Sequence, residues 1–276
     1  MYNFNTTIRS LIIDMDGVLW HGDIPQPGLF EFFQILRTTG ISFVLATNNA
    51  SHTAEQYQNK LAKMGIKVAQ NEILTSAMVT CAYVALHNPP SSTRIFAIGE
   101  AGLQQPLRDY GFTLTGYYQE ERSSHADIVV CGKDQTLTWD KLATATLNIR
   151  AGAQFFGTNG DMTLPTELGV IHGNGAILAA LEKATGVTPR IIGKPEPYMY
   201  QEALKILNSK PEHTIAIGDR LETDILGAVN AGLKSILVLS GISTMDDLNQ
   251  VSYAPTWIMP NIQAITQALK NNIEEP

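Results

Sequence analysis

Cysteine, basic clusters and long hydrophobic runs are scarce or missing in this 276-residue sequence. Its two cysteines, Cys81 and Cys131, lie in apolar contexts that favour buried free thiols in a reducing compartment over a disulfide framework. The sequence has no apolar run of membrane-spanning length and no charged segment leading into a secretory apolar core. We therefore expect a cytoplasmic protein that binds no membrane.

The charge balance is acidic, with a formal net charge of −7 and no run of lysine and arginine. Such a surface repels phosphodiester backbones, which excludes a general nucleic-acid binder. Apolar residues make up 44% of the sequence and charged residues 16%, a globular composition that can bury a sizeable core. A small anionic substrate would need a local cation in order to bind.

Residues 8–20, IRSLIIDMDGVLW, organise the rest of the chain. The uninterrupted apolar run 11–13 is typical of a strand that is covered on both faces of its sheet. Asp14 and Asp16 follow where this strand would end, and Gly17 allows a sharp turn. Ligands bind at that edge of open α/β sheets, although a buried strand followed by an ordinary Asp-Gly turn is the alternative.

Alternating strand and helix patterns predict two α/β units. Residues 1–76 and 188–276 contain strands that end in polar residues, and residues 77–187 carry a strand and helix alternation of their own. We predict an α/β fold with a doubly wound parallel-sheet, Rossmann-like core built from the two outer segments. Residues 77–187 are predicted to form an inserted, smaller α/β cap domain.

The strand ends of the outer segments offer a set of polar side chains, namely Asp14, Asp16, Thr47, Asn48, Lys194, Asp219 and Asp224. Because the carboxyl ends of parallel strands meet at one edge of a sheet, we expect these side chains to be neighbours. Carboxylates repel each other by about 4 kcal/mol per pair at a separation of about 4 Å and an effective dielectric constant near 20. So acidic a cluster favours a divalent cation, and all-oxygen ligands select Mg²⁺.

This set of residues suits phosphoryl transfer. An aspartate can displace an alcohol from a phosphate monoester, and water can then hydrolyse the aspartyl-phosphate. A second acid two residues along can donate the proton to the leaving oxygen and later accept one from water. The hydroxyl of Thr47, the amide of Asn48 and the ammonium of Lys194 can hold the phosphoryl oxygens.

Four ordered motifs, DMDGVLW, ATNN, GKPEP and IGDRLETDI, resemble those of the haloacid-dehalogenase-like phosphatases. Their spacing is similar to that of the NagD-type, or p-nitrophenyl phosphatase, branch, which carries a large α/β cap between its second and third motifs. This chain has its extra domain at the same place. The segments GTNGDMTLP and GNGAILAALEKATG also resemble that branch, so the resemblance covers nearly the whole chain.

The resemblance implies a role for each acidic residue of the motifs. It implies that Asp14 is the nucleophile, and that Asp16 is the general acid/base and also offers its backbone carbonyl to Mg²⁺. It further implies that Asp219 is a metal ligand and that Asp224 orients metal-bound water, with direct contact to the metal left open. A purely structural alternative for Asp224 is to favour the N-terminus of the helical stretch 225–231.

The resemblance assigns phosphate binding to Thr47 and Lys194, and the reasoning from residue types adds Asn48. The predicted function is a Mg²⁺-dependent phosphatase of small phosphorylated metabolites, such as a sugar phosphate or a nucleoside monophosphate. A phosphoacceptor signalling module and a phosphomutase are the alternatives on the same core. A proton shuttle at Asp16 shortens the life of a stored phosphoryl group, which weighs against signalling. The sequence leaves open the exact monoester and whether the chain forms a homo-oligomer.

Substrate choice is predicted to lie in the inserted domain, because the core motifs hold only the phosphoryl group and the metal. Two polar turns at the ends of cap strands supply the candidates, namely Lys133, Asp134, Asn159 and Asp161. Ordinary turn chemistry is the alternative interpretation of both segments.

Overall fold

A computed structural model describes residue 4 and residues 8–118, 125–166 and 168–274. A solvated loop is expected from the sequence at Glu120–Arg122, which lies outside the described residues. Within the described part of the chain, no helix combines the length and the apolar character needed to cross a bilayer. Both cysteines are buried free thiols, as the sequence predicts.

The strands, in chain order, are β1 (Ser10–Ile13), β2 (Trp20–His21), β3 (Ile24–Pro25), β4 (Ser42–Thr47), β5 (Ile73–Thr75), β6 (Arg94–Ile98), β7 (Thr113–Leu114), β8 (Ile128–Cys131), β9 (Gln154–Gly157), β10 (Thr163–Thr166), β11 (Gly169–His172), β12 (Arg190–Ile191), β13 (Thr214–Gly218), β14 (Lys234–Val238) and β15 (Trp257–Met259).

The α-helices are α1 (Leu29–Thr39), α2 (Ala54–Lys63), α3 (Ser76–His87), α4 (Ala101–Asp109), α5 (Trp139–Arg150), α6 (Asn174–Thr185), α7 (Tyr198–Leu207), α8 (Leu226–Asn230) and α9 (Ile262–Glu274). Short 3₁₀ turns lie at Gln70–Glu72, Pro90–Ser92, Pro211–His213 and Asp247–Gln250, and a π turn lies at Leu221–Ile225.

The first compact unit comprises Met1–Thr47, Tyr57–Leu74 and Lys194–Pro276. Its six-stranded sheet has the order β15-β14-β13-β1-β4-β5. Strand β1 is buried along its whole length and pairs in parallel with both β13 and β4. The chain builds outward from β1 on one side through β4 and β5, and on the other side through β13, β14 and β15. The strand order therefore reverses at β1, which is where open α/β sheets place their ligands.

Helix α1 shows how the sequence specifies the layers of this unit. Its apolar residues Phe32, Phe33 and Leu36 are buried along one side. Gly40 ends the helix in the left-handed region at φ 70°, and its N–H donates to the carbonyl of Leu36. The helical apolar spacing of residues 29–39 and the glycine that follows predict a helix over those residues. Glycine adopts the left-handed conformation without steric cost, so the helix ends where the sequence predicts.

The second compact unit comprises Asn48–Gln56 and Thr75–Gly193. Its five-stranded sheet has the order β12-β9-β8-β6-β7, and every neighbouring pair is parallel. Its core joins side chains of β6, β8 and β9 to those of α5 and α6. Strands β10 and β11 form a separate antiparallel hairpin, which was not predicted from the sequence.

The α/β class, with a doubly wound parallel core and an additional α/β unit, is confirmed. The boundaries proposed from the sequence, with the core at 1–76 and 188–276 and the cap at 77–187, stay a prediction. The second compact unit also includes three segments that the sequence assigned to the core, namely residues 48–56, 75–76 and 188–193.

Candidate active site

Three neighbouring strands of the first unit deliver polar residues to one edge of its sheet. Asp14 directly follows β1, Thr47 is the last residue of β4, and Asp219 directly follows β13. The N–H of Asp14 donates to the carbonyl of Ile217 at 2.8 Å, so the backbone pairing of the sheet continues into the site. Three of the strand-end residues predicted from the sequence thus lie on adjacent strands.

Lys194 joins two of the predicted acids. Its Nζ atom donates to Oδ1 of Asp14 at 2.5 Å, to Oδ1 of Asp224 at 2.7 Å and to the carbonyl of Ala46 at 3.0 Å. Only 3% of Lys194 is exposed, and its ammonium has three protons to donate. These three acceptors therefore satisfy the buried ammonium, which holds both carboxylates by charge-assisted bonds.

Asp14, Asp219 and Asp224 form a group suited to a metal ion, since one carboxylate oxygen from each lies within 4.8 Å of the others. Burial raises the pKa of Asp14 well above its usual range, and Asp224 and Asp219 raise it further while Lys194 opposes them. Burial and the charge of Asp224 likewise raise the pKa of Asp219 to about 7. Three buried carboxylates with one lysine leave excess negative charge, so a hard divalent cation fits this donor set.

Two glycines make room for the carboxylate of Asp219. A Cβ atom at Gly17 would lie 2.4 Å from Oδ2 of Asp219, and one at Gly241 would lie 2.0 Å from the same oxygen. Gly17 also has a φ of +82°, a conformation that other residues rarely adopt. The backbone N–H of Ile242 donates to Oδ2 of Asp219 at 2.9 Å, which fixes the orientation of the carboxylate.

Asp224 lies inside the π turn Leu221–Ile225 that leads into α8. While Oδ1 accepts from Lys194, Oδ2 accepts from the backbone N–H of Arg220 at 3.1 Å. Its backbone carbonyl accepts from the hydroxyl of Tyr200 at 2.8 Å. The carboxylate therefore bonds to the N–H at the start of the π turn and to Lys194 in the acidic cluster, and its role toward the metal stays a prediction.

Asp16 is not a member of the group of three acids, and it is exposed. Its Oδ1 atom accepts from Nε1 of Trp20 at 2.8 Å. The sequence predicts that Asp16 lies on the turn after the strand, and that is its position here. Its assigned contribution to the metal, the backbone carbonyl, stays a prediction.

Tyr57, on helix α2, is a neighbour of the site that was not identified as a functional residue from the sequence. Its phenol is hydrogen-bonded to the side chain of Thr47. Burial raises the pKa of Tyr57 well above its usual range, and the charges of Asp16 and Asp14 raise it further. A tyrosine on the buried face of a helix that follows the ATNN segment is the signal that could have identified it.

The second unit holds Asn48 and two of the proposed specificity residues in one network. The amide of Asn48 donates to Oδ1 of Asp161 at 3.2 Å. The amide of Asn159 donates to the backbone carbonyl of Asn48 at 2.8 Å, and its Oδ1 atom accepts from the N–H of Asp161 at 3.2 Å. These contacts fix the turn at Asn159 and tie it to the segment that carries Asn48.

Asp134 is buried within the second unit, beside half-buried Lys133. Its carboxylate accepts from Nζ of Lys141 at 2.6 Å and from the hydroxyl of Thr136 at 2.7 Å. Burial opposes the charged form, but these hydrogen bonds prevail and lower the pKa of Asp134. Such internal contacts favour the turn interpretation for Asp134, and its role in specificity stays a prediction.

Comparison with known proteins adds family information to this geometry. A family model described as haloacid dehalogenase-like hydrolase matches residues 11–113, and an HAD-hydrolase-like model matches residues 191–265. An acid sugar phosphatase from Staphylococcus aureus (strain USA300) is 35% identical over 263 residues, which cover 95% of this chain and 98% of that relative.

Solved structures of similar proteins cover the chain to the same extent. NagD from Escherichia coli K-12 is 34% identical with a TM-score of 0.83, covering 93% of this chain and 98% of its own. A glycerol phosphate phosphatase from Mycobacterium tuberculosis, solved in complex with magnesium, is 33% identical with a TM-score of 0.86. That match covers 96% of this chain and 78% of the other chain.

The fold and the comparisons together define a hydrolase with a parallel-sheet α/β core and an additional α/β unit. The chain belongs to the haloacid dehalogenase-like hydrolase family, and within it to the NagD-type branch. The resemblance drawn from the four sequence motifs is confirmed.

Proposed function

We propose that this protein is a Mg²⁺-dependent phosphatase that hydrolyses small-molecule phosphomonoesters through an aspartyl-phosphate. The observation that carries the proposal is the buried group of Asp14, Asp219 and Asp224, two of whose carboxylates bond to the ammonium of Lys194. Family membership and the phosphatase relatives support the same reaction. The buried free thiols support a reducing, cytoplasmic location.

In the first step, a carboxylate oxygen of Asp14 attacks phosphorus, and the bond from phosphorus to the leaving oxygen breaks. Lys194 favours the ionised, nucleophilic form of Asp14 through its bond to Oδ1. Asp16 donates a proton to the leaving oxygen, so that a neutral alcohol departs. The product is an aspartyl-phosphate at Asp14.

In the second step, Asp16 accepts a proton from water, and the water oxygen attacks phosphorus. The bond between phosphorus and Asp14 breaks, which releases inorganic phosphate and restores the carboxylate. Asp16 ends the cycle protonated, ready for the next leaving group. Asp14, Asp219, Asp224 and the backbone carbonyl of Asp16 would hold a Mg²⁺ ion, which neutralises phosphoryl charge when bound. A magnesium complex of a 33% identical relative supports that choice of ion.

Thr47, Asn48 and Lys194 are proposed to bind the phosphoryl oxygens. Thr47 is 2% exposed at the end of β4, and Lys194 presents its ammonium beside the nucleophile. Asn48 follows Thr47 directly, although its amide donates to Asp161 in this structure. Hydrogen bonds from such donors strengthen as charge shifts in the transition state.

The substrate class is proposed to be small phosphorylated alcohols such as sugar phosphates or nucleoside monophosphates. The names of two relatives, an acid sugar phosphatase and a glycerol phosphate phosphatase, support such leaving groups. We assign discrimination among them to the second unit, at Lys133, Asp134, Asn159 and Asp161. Lys133 is the stronger candidate, because the carboxylates of Asp134 and Asp161 and the amide of Asn159 are engaged in bonds within the second unit.

The deciding experiment measures inorganic phosphate released from a panel of metabolite phosphates, with Mg²⁺ and then with excess chelator. Wild-type protein is expected to turn over in Mg²⁺ only, and Asp14→Asn is expected to be inactive because an amide forms no acyl-phosphate. Glu72→Gln is the control and should turn over as wild type does, since it changes a partly buried acid of the first unit that pairs with Arg37. Full turnover by Asp14→Asn, or full activity in chelator, would contradict the mechanism.

The same panel separates the two other reactions that this core could perform. A signalling module would hold the aspartyl-phosphate for minutes and release little phosphate over that time. A phosphomutase would return the phosphoryl group to a sugar and yield an isomeric sugar phosphate. Rapid, stoichiometric release of alcohol and phosphate is the result expected of a phosphatase.

The assignment of specificity to the second unit has its own test. Lys133→Ala and Asp161→Ala are expected to change kcat/KM unequally across the panel, by about 1 to 3 kcal/mol where a substrate hydrogen bond is lost. The Mg²⁺ dependence should stay as in wild type. Equal losses on every substrate, or no loss at all, would show that these turns have only a structural role.

A further inference from the structure

The indole of Trp20 and the carboxylate of Asp16 make a contact that none of the roles above uses. Nε1 of Trp20 donates to Oδ1 of Asp16 at 2.8 Å, and the two residues also form a backbone bridge. Trp20 is 0% exposed, whereas Asp16 is exposed. A donor fixed in the protein core thus holds a carboxylate that is open to solvent.

We propose that Trp20 is the positioning residue of Asp16, and that its N–H holds the carboxylate in the orientation needed for proton transfer. This inference rests on the proposed function, because it takes Asp16 as the general acid/base. An exposed aspartate can occupy several staggered rotamers, whereas proton transfer needs heavy atoms within about 2.6–3.2 Å. One directed bond from a rigid donor selects among those rotamers.

The chemistry of the donor also distinguishes the two carboxylate oxygens. An indole N–H only donates, so it stabilises Oδ1 of Asp16 as an acceptor. Oδ2 is then the atom that carries the proton. In the first step it gives this proton to the leaving oxygen, and in the second it takes one from the attacking water. Trp20 never exchanges its own proton with the substrate.

The indole is itself held by its surroundings in the first unit. The N–H of Gly17 donates to the carbonyl of Trp20 at 2.8 Å. Nζ of Lys60, on helix α2, lies 4.6 Å from the centroid of the indole ring, where cation and ring attract. The same ammonium donates to the carbonyl of Gly22 at 2.7 Å, in the turn of the β2–β3 hairpin. Helix α2 therefore braces the hairpin that carries the donor.

A purely structural role makes a different prediction from a positioning role. A buried indole N–H needs an acceptor, and Asp16 could serve only to satisfy it. Losing that bond would then lower stability and leave the dependence of rate on leaving group unchanged. Losing a positioned general acid slows substrates with poor leaving groups most, because good leaving groups need little protonation.

The test compares p-nitrophenyl phosphate, which has a good leaving group, with an alkyl phosphate, which has a poor one. Trp20→Phe removes the donor and keeps an aromatic ring. It is expected to lower kcat/KM for the alkyl phosphate by about tenfold or more and for p-nitrophenyl phosphate by less than about threefold. In Asp16→Asn, where no general acid remains, adding Trp20→Phe should leave the ratio of the two rates unchanged.

Replacing a fully buried tryptophan with phenylalanine leaves a void, so a second variant keeps the shape. A benzothienyl-alanine at position 20 replaces the indole N–H by sulfur at nearly constant volume, and it should give the same change in ratio. Trp257→Phe is the matched control, because Trp257 on β15 also has a lysine ammonium near its ring, that of Lys234 at 5.9 Å. Its ratio should equal that of wild type.

An unchanged ratio in both Trp20 variants, with a changed ratio in Asp16→Asn, would overturn the positioning role and leave the phosphatase mechanism intact. An unchanged ratio in Asp16→Asn itself would instead overturn the assignment of the general acid. The two failures are therefore distinguishable in one set of measurements.

Discussion

At the scale of single residues, burial determines how much each polar contact contributes to the site. Thr47 is 2% exposed and Tyr57 is 3% exposed, and their side chains are hydrogen-bonded to each other. Leaving a buried hydroxyl without a hydrogen-bond partner costs about 1–3 kcal/mol of free energy, because water does not replace the lost bond. The phenol therefore contacts the hydroxyl proposed to bind phosphate and helps to orient it.

We expect Tyr57→Phe to weaken the binding of inorganic phosphate by about three- to tenfold, the equivalent of about 1 kcal/mol for one lost hydrogen bond. The inhibition constant of phosphate against a fixed substrate measures this directly. Tyr110→Phe is the control, because Tyr110 is 46% exposed and lies in the second unit. An inhibition constant equal to that of wild type would show that Tyr57 does not contribute to phosphate binding.

At the scale of the elements, the backbone conformation of the turn after β1 determines the space available to the site. Gly17 needs a left-handed φ of +82°, and its missing side chain leaves room for Asp219. Gly65, after helix α2, has the same φ of +82° but has no atom within 4 Å of the position of a Cβ atom. Substitution of the two glycines therefore distinguishes backbone strain, which both positions share, from a clash with Asp219, which only Gly17 has.

Gly17→Ala and Gly65→Ala are both expected to lose about 1–2 kcal/mol of unfolding free energy from the left-handed conformation. Gly17→Ala should in addition lose phosphatase activity and any stabilisation by Mg²⁺, since the new methyl group displaces the carboxylate of Asp219. Chemical denaturation with and without Mg²⁺, together with phosphate release, measures both effects. Equal behaviour of the two variants would show that space beside Asp219 is not needed.

The elements with a strong local signal were predictable from the sequence. Helix α1 has the predicted bounds, because its apolar spacing and Gly40 define both the face and the end. The β10–β11 hairpin was not predicted, since the described side chains of β11 are exposed and no buried face imposes an alternating pattern. Helix α7 was also missed, although buried Met199 and Ala203 have helical spacing.

The candidate site also has a part that was predictable from the sequence and a part that was not. Asp14, Thr47 and Asp219 could be placed because each ends an apolar strand, and adjacent parallel strands bring their ends together. The hydrogen bond between Trp20 and Asp16 could not be predicted. It depends on a hairpin of two-residue strands, which are too short to show an alternating hydrophobic pattern. Side-chain partners set by such turns become visible only in the folded structure.

At the scale of the whole molecule, the acidic cluster links metal binding to the stability of one of the two compact units. Asp14, Asp219 and Asp224 all belong to the first unit. A ligand that binds only the folded state stabilises it by an amount that grows with the logarithm of ligand concentration, about 2.7 kcal/mol at 100 times the Kd. We expect relief of repulsion among the buried carboxylates to be the physical source of an affinity for Mg²⁺ here.

We therefore expect Mg²⁺ to raise the melting temperature of the wild-type protein in a concentration-dependent way, as measured by calorimetry. Asp219→Asn should melt at a temperature that responds little to Mg²⁺, because one of the three ligands has lost its charge. Asp134→Asn should keep the full response, since its carboxylate pairs with Lys141 in the second unit. A response as large in Asp219→Asn as in wild type would place the stabilising ion elsewhere and separate the acidic cluster from metal binding.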